Sequence, residues 1–143
     1  MKLSGTILQR EARKLAEAQK AVWESGEWLS AADIVSQCGD DASGSDSLPQ
    51  EWERTGRIFS IRYNGADYYP GYGLDQGASV RPHPEMVEVI KVLQSTKNGW
   101  GMAFWFASPN FYLRGKRPQD VLGTELSLVI TAAENEVAGI THG

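Results

Sequence analysis

The chain offers few groups for catalysis or metal binding. It has two histidines and one cysteine. His83 lies between two prolines and His142 is the penultimate residue; neither has a second ligand at zinc spacing. A lone cysteine, Cys38, excludes an intramolecular disulfide and a cysteine-rich metal site; it reads as a small buried hydrophobe. No Ser–His–acid or Cys–His set can be assembled. Gly115-Lys116-Arg117-Pro118 lacks the spaced glycine and Ser/Thr of a P-loop. No cofactor is expected, and an enzyme is the least favoured class. What remains is the chemistry of recognition, and it concentrates in WFASPNFYLRGKRPQDVL, residues 105–122. Trp105 ends an apolar run. Pro109 then removes a backbone donor and pushes Ser108 out of the α region. Leu113, Gly115, Lys116, Arg117, Pro118, Asp120 and Leu122 follow. The segment predicts a helix end, a compact turn and a new helix entered through Pro118. Any small helical domain can contain such a corner.

The same residues resemble the signature of the Xre/MbcA/ParS-type toxin-binding domain, the C-terminal module of antitoxins that often accompany RES-domain toxins. That family carries a W…PN..L.G.RP.DLL pattern. Trp105, Pro109, Asn110, Leu113, Gly115, Arg117, Pro118, Asp120 and Leu122 stand in its places, and Val121 replaces a common Leu. The resemblance implies a helical surface for a toxin, with the chain end approaching the toxin's active site. Carried onto this sequence, it nominates Arg114, Lys116 and Arg117 as a basic edge, with Ile140 and His142 in the tail. Trp105, Pro109, Asn110, Gly115, Pro118 and Asp120 would build the turn itself. The plainer role for Lys116 or Arg117 is to cap a helix end or to pair with Asp120.

The whole chain sets wider limits. At 143 residues it is one domain or two very small ones. With 41% hydrophobic and 22% charged residues it is globular in composition. No apolar run approaches the roughly 18–20 residues of a membrane span. The opening MKLSGTILQREARK lacks a secretory pattern, and a reducing cytoplasm is expected. Net charge is −4; residues 1–73 hold eight basic and eleven acidic residues, and 74–143 hold six and seven. Neither half attracts phosphate nonspecifically, and an acidic chain suits a basic protein partner.

The elements that must position these residues are largely helical. Residues 4–25 show apolar positions at three- and four-residue spacing and predict an amphipathic leading helix. It packs on its own domain or serves as a dimerisation arm; periodicity does not choose. After Gly26, Ser30 is placed to cap a helix with Asp33 at its third position and Leu29 stapled to Ile34. An acidic loop, 40–47, precedes a short helix over 48–56 that enters through Pro49 and ends at Gly56. Residues 57–63 read as a strand, Asn64-Gly65 as a tight hairpin turn, and 66–69 as the return strand, ended by Pro70.

Helix, loop, short helix, hairpin is the order of a winged helix-turn-helix. WLSAADIVSQCG and EWERTGRIFSIRYNGADYYP resemble the MerR and excisionase-like group over residues 27–72. The second helix would then enter the major groove and the hairpin would touch the backbone. Gln50 and Arg54, four apart, are candidates for base reading; Arg57 and Arg62 are candidates for phosphate contact. Two features depart from the pattern. The connector is long and acidic, and Glu51 and Glu53 share the short helix with its one arginine; the plainer role for Arg54, Arg57 and Arg62 is to stay solvated or to pair with those glutamates. Tyr68, Tyr69 and Tyr72 suit nucleobase stacking, but strand alternation puts one tyrosine inward instead.

Residues 70–77, PGYGLDQG, are expected to join the modules. Beyond them, a helix starts near Pro84, the apolar run 99–107 is a buried helix or else a strand, its length and Met/Ala content favouring the helix, and a final helix runs from Pro118 or Gln119 to about 138. The expected organisation is a leading helix at 1–26, a winged helix-turn-helix-like module at 27–73 and a toxin-binding module at 74–143. The expected fold class is mainly α with a small β-hairpin. The expected function is an antitoxin that sterically neutralises a cognate toxin, of RES type, and represses its own operon as a homodimer on operator DNA. The alternative is a DNA-binding regulator or adaptor whose C-terminal module mediates self-association or another protein contact.

Overall fold

The computed structural model describes residues 2–38, 48–77 and 80–142. Helix α1, Lys2–Glu24, leads into a short strand β1, Trp28–Ser30, and helix α2, Ala31–Cys38. Helix α3, Leu48–Arg54, precedes the hairpin of β2, Ile61–Tyr63, and β3, Ala66–Pro70. Strands β4, Leu74–Gln76, and β5, Val80–Pro82, form a second antiparallel pair. Helices α4, Pro84–Leu93, α5, Gly99–Ala107, α6, Pro118–Val121, and α7, Leu126–His142, complete the chain. The fold is mainly helical with a small antiparallel hairpin sheet, as its patterning predicts. The acidic segment 40–47, where the long connector was expected, lies outside the described residues.

Local chemistry explains most boundaries. Ser30 and Asp33 form a reciprocal cap: Asp33 N–H donates to Ser30 Oγ at 3.1 Å, and Ser30 N–H donates to the Asp33 carboxylate at 3.0 Å. Helix α3 closes in a Schellman motif. Gly56, at φ +75°, donates to Glu53 O, and Arg57 donates to Trp52 O at 2.8 Å. That cap uses the backbone of Arg57, so strand β2 starts only at Ile61 and not at residue 57. Ile58 and Phe59 are both buried, a pairing that strand alternation cannot supply. Asn64 and Gly65 adopt φ +50° and +82°, the paired left-handed geometry of a two-residue hairpin.

Three further elements depart from the sequence reading. Strand β1 pairs with β3, Leu29 opposite Tyr69, giving the order β1-β3-β2. Pro70 therefore lies inside β3, opposite Trp28. Residues 70–77 are built structure: a 3-10 turn at Gly71–Gly73 runs into β4. The final helix is two helices, because Gly123 and Thr124 are weak helix formers at a point where the apolar stripe continues unbroken.

The core is continuous from Val22 to Ala133. Phe59 stacks on Phe106 with ring centroids 5.9 Å apart, and Tyr72 lies 5.3 Å from the same ring. Trp100 Nε1 donates to Arg62 O at 3.1 Å, and Gln119 Nε2 donates to Ser25 O at 2.9 Å. Gly99 permits the closest approach. A Cβ there would lie 1.9 Å from the carbonyl oxygen of Ser60, so only glycine lets α5 start against that backbone.

Candidate functional site

The turn at 109–118 is closed by its own backbone. Asn110 N–H donates to Lys116 O at 3.0 Å, and Gly115 N–H donates back to Asn110 O at 2.9 Å. Asn110 Oδ1 also accepts from Tyr112 N–H at 2.9 Å, capping a 3-10 turn at Phe111–Leu113. Arg114 and Gly115 then take φ +58° and +83°, and this left-handed pair reverses the chain. Only glycine takes the second position without strain. Leu113 is fully buried against α7, and Pro118 is buried at the first position of α6. Trp105 sits in the core at the end of α5. Pro109 is exposed, and Asp120 lies in the first turn of α6.

The consequence is at Phe111. With Leu113 pointing inward, the preceding ring points out: Phe111 is 90% exposed and Tyr112 is 48% exposed, the two rings edge to face at 5.7 Å. Beside them lies a cleft of about 440 Å³ lined by Lys97, Gly101, Phe104, Trp105, Ser108, Pro109, Asn110 and Glu136. Lys97 Nζ meets Glu136 at 2.9 Å, with the lysine largely covered, and ties the start of α5 to α7. The sequence reading did not include Phe111 or Tyr112. The signal was there: a turn with a single apolar anchor, Leu113, leaves its other two apolar residues outside.

The residues nominated for toxin binding are partly engaged already. Arg114 donates to Glu125 at 2.7 Å. Arg117 grips Asp120 through two hydrogen bonds, at 2.7 and 3.0 Å, and this partner raises its pKa. Lys116 is exposed with no ion pair among the described residues. Ile140 is exposed on α7. His142 ends α7, and its side chain lies outside the described residues. The Arg117–Asp120 pair fits the plainer structural role foreseen for Arg117. Both arginine pairs have an exposed member, so they are weak and exchangeable.

The residues nominated for DNA contact are spread over α3 and the hairpin. Gln50 is exposed. Arg54 is held by Glu51 through two hydrogen bonds; the carboxyl pKa falls and the guanidinium pKa rises as a result. Arg62 bonds Asp67 and the carbonyl of Gly65, both at 3.2 Å. Arg57 is exposed. Tyr63 and Tyr68 pack on Trp23, with centroids 4.6 and 4.7 Å away, and Tyr69 is buried. Their rings brace α1 against the sheet. Glu53, expected as an arginine partner, instead accepts from Ser60 Oγ at 2.9 Å.

No group of three or more potential metal ligands occurs among the described residues. No helix among them is long and apolar enough to cross a membrane. Comparison with family models, with curated proteins and with solved structures returns no match to this chain.

Proposed function

We propose that this chain is an antitoxin that binds a cognate toxin at the surface centred on the 109–118 turn and neutralises it by occlusion. The observation that carries this reading is Phe111, held 90% exposed on a turn that its own hydrogen bonds keep closed. A bare aromatic side chain on a rigid backbone gains by burial in a partner's pocket and loses little entropy on docking. Tyr112 and Lys116 flank it and extend the contact. The W…PN..L.G.RP pattern around the same turn supports a RES-type toxin as partner, which the resemblance implies is an NAD-degrading enzyme. The net charge of −4 favours a basic partner.

Operator DNA is the second partner proposed. The strand order β1-β3-β2, with a helix pair between β1 and the hairpin, supports reading 27–73 as a winged helix-turn-helix. In that reading α3 faces the major groove with Gln50 and Arg54, and Arg57 and Arg62 meet phosphates. The exposed Glu51 and Asp67 pairs are weak enough to yield to phosphate.

The test captures the partner from the native host with the tagged chain and follows its consumption of NAD. Wild-type chain suppresses it. Phe111→Ala, at unchanged thermal stability, binds roughly 30-fold more weakly, a loss of about 2 kcal/mol. A partner that keeps full activity in the complex, or a Phe111→Ala chain that binds as well as wild type, sinks the proposal.

A further inference from the structure

Helix α1 extends well beyond anything that covers it. Leu8, Leu15 and Val22 recur every seven residues, a spacing that drifts only about 20° per repeat on an α-helix. They therefore share one face. The body covers that face at Val22, which is 5% exposed, and leaves it bare at Leu15, 52%, and Leu8, 69%. Every side chain from 6 to 18 is exposed. Gln19 lies within the stripe, Ile7, Glu11, Ala12 and Ala18 flank it, and Arg10, Arg13, Glu17 and Lys20 occupy the opposite side. Where α1 meets α5, the stripe runs into a groove of about 310 Å³ floored by Ala18, Ala21, Val22, Phe104 and Ala107, with Arg117 at its rim. Trp23, stacked on Tyr63, fixes the root of the helix, so its direction is set.

We propose that α1 is a self-association arm: the bare stripe pairs with α1 of a second copy, and each arm's tip lies over the other copy's body. Two observations choose a second copy over other occupants. The first is charge. Lys2–Glu24 holds five basic and three acidic residues, a net +2, whereas the rest of the chain holds nine basic and fifteen acidic residues, a net −6. An arm laid over another copy meets opposite charge. The second is side-chain size. A membrane-surface helix uses bulky aromatic and leucine residues, but residues 6–18 contain no aromatic and three alanines. Small residues flanking a leucine stripe let two helices approach closely.

Sedimentation equilibrium of the full chain is the test, with a Leu8→Glu, Leu15→Glu variant beside it. The wild type is expected at twice its 15.7 kDa chain mass. The variant should associate at least roughly tenfold more weakly, with an unchanged near-ultraviolet dichroism spectrum, because both leucines are exposed. If that variant misfolds, Ala12→Glu carries the same comparison while keeping the leucines. Added salt should also weaken the wild-type association. A wild type that stays at single-chain mass at every concentration, or variants that associate as tightly as wild type, overturns the proposal. So does binding of a single-chain wild type to phosphatidylcholine–phosphatidylserine vesicles.

Discussion

Two tyrosines carry the clearest residue-scale consequence. Tyr69 is buried, and its pKa is pushed up to about 12, first by burial and then by the charges of Glu53 and Asp67. Burial also raises Tyr72, whose hydroxyl is buried with no hydrogen-bond partner. Both phenols stay neutral in the fold at pH values where an unfolded tyrosine ionises. Their contribution is therefore complete below the ordinary value of about 10 and is lost as pH rises through the folded values. Denaturant midpoints should hold steady to about pH 10 and fall steadily towards about pH 12. Tyr72→Phe should make that fall shallower. At neutral pH it should be neutral or stabilising by about 1 kcal/mol, because it removes an unpaired buried hydroxyl. A Tyr72→Phe chain clearly less stable than wild type at neutral pH would show that the hydroxyl has a partner. Phe111 is the opposite case: an aromatic residue left outside, whose truncation should leave stability unchanged.

At the scale of elements, the junction between β2 and α5 decides whether the two ends of the chain pack together. Gly99 starts α5 against the backbone of Ser60, Asn98 Oδ1 caps the helix by accepting from Gly101 N–H at 2.8 Å, and Trp100 reaches Arg62 O. Gly99→Ala should cost about 3 kcal/mol or more, since the clash is with rigid backbone and not with a movable side chain. Chemical denaturation measures it, and a loss below about 1 kcal/mol would mean that α5 can shift to make room. Gly115→Ala tests a different cost at the 109–118 turn, positive φ with open space around it.

For the whole molecule, rings and hydrogen bonds cross between residues 27–73 and 74–143. Phe106 stacks on Phe59, and Met86 and Ile58 close over Gly73. A fragment ending after residue 75 would expose Ile58, Phe59 and Ile61, all buried in the full chain. We expect that fragment to lack a cooperative thermal transition, whereas the full chain melts in one transition whether followed by tryptophan fluorescence or by helical dichroism. A sharp, reversible transition in the fragment would show that the N-terminal part folds alone.

Much of this was legible because it is local. The Ser30 cap, the Gly56 stop, the Asn64-Gly65 turn, the buried helix at 99–107 and the break at Pro109-Asn110 each follow from residues within a few positions of one another. Helix periodicity likewise marked the leading helix as amphipathic. It did not say whether its own domain covers that helix, because one stripe of alanine and leucine looks the same on a core or on a partner. Pairing of β1 with β3 depends on residues some forty positions apart, and three-residue strands carry no period to detect. Gly99 against Ser60 is likewise a fact of approach and geometry, whereas Arg54 on Glu51 is a pairing that the local sequence already offered. Most of the residues nominated for binding are basic; Gln50, Ile140 and His142 are the exceptions. Folding pairs two of the three basic residues of the 109–118 turn with nearby carboxylates and leaves Phe111 outside, since of Phe111, Tyr112 and Leu113 only Leu113 enters the core.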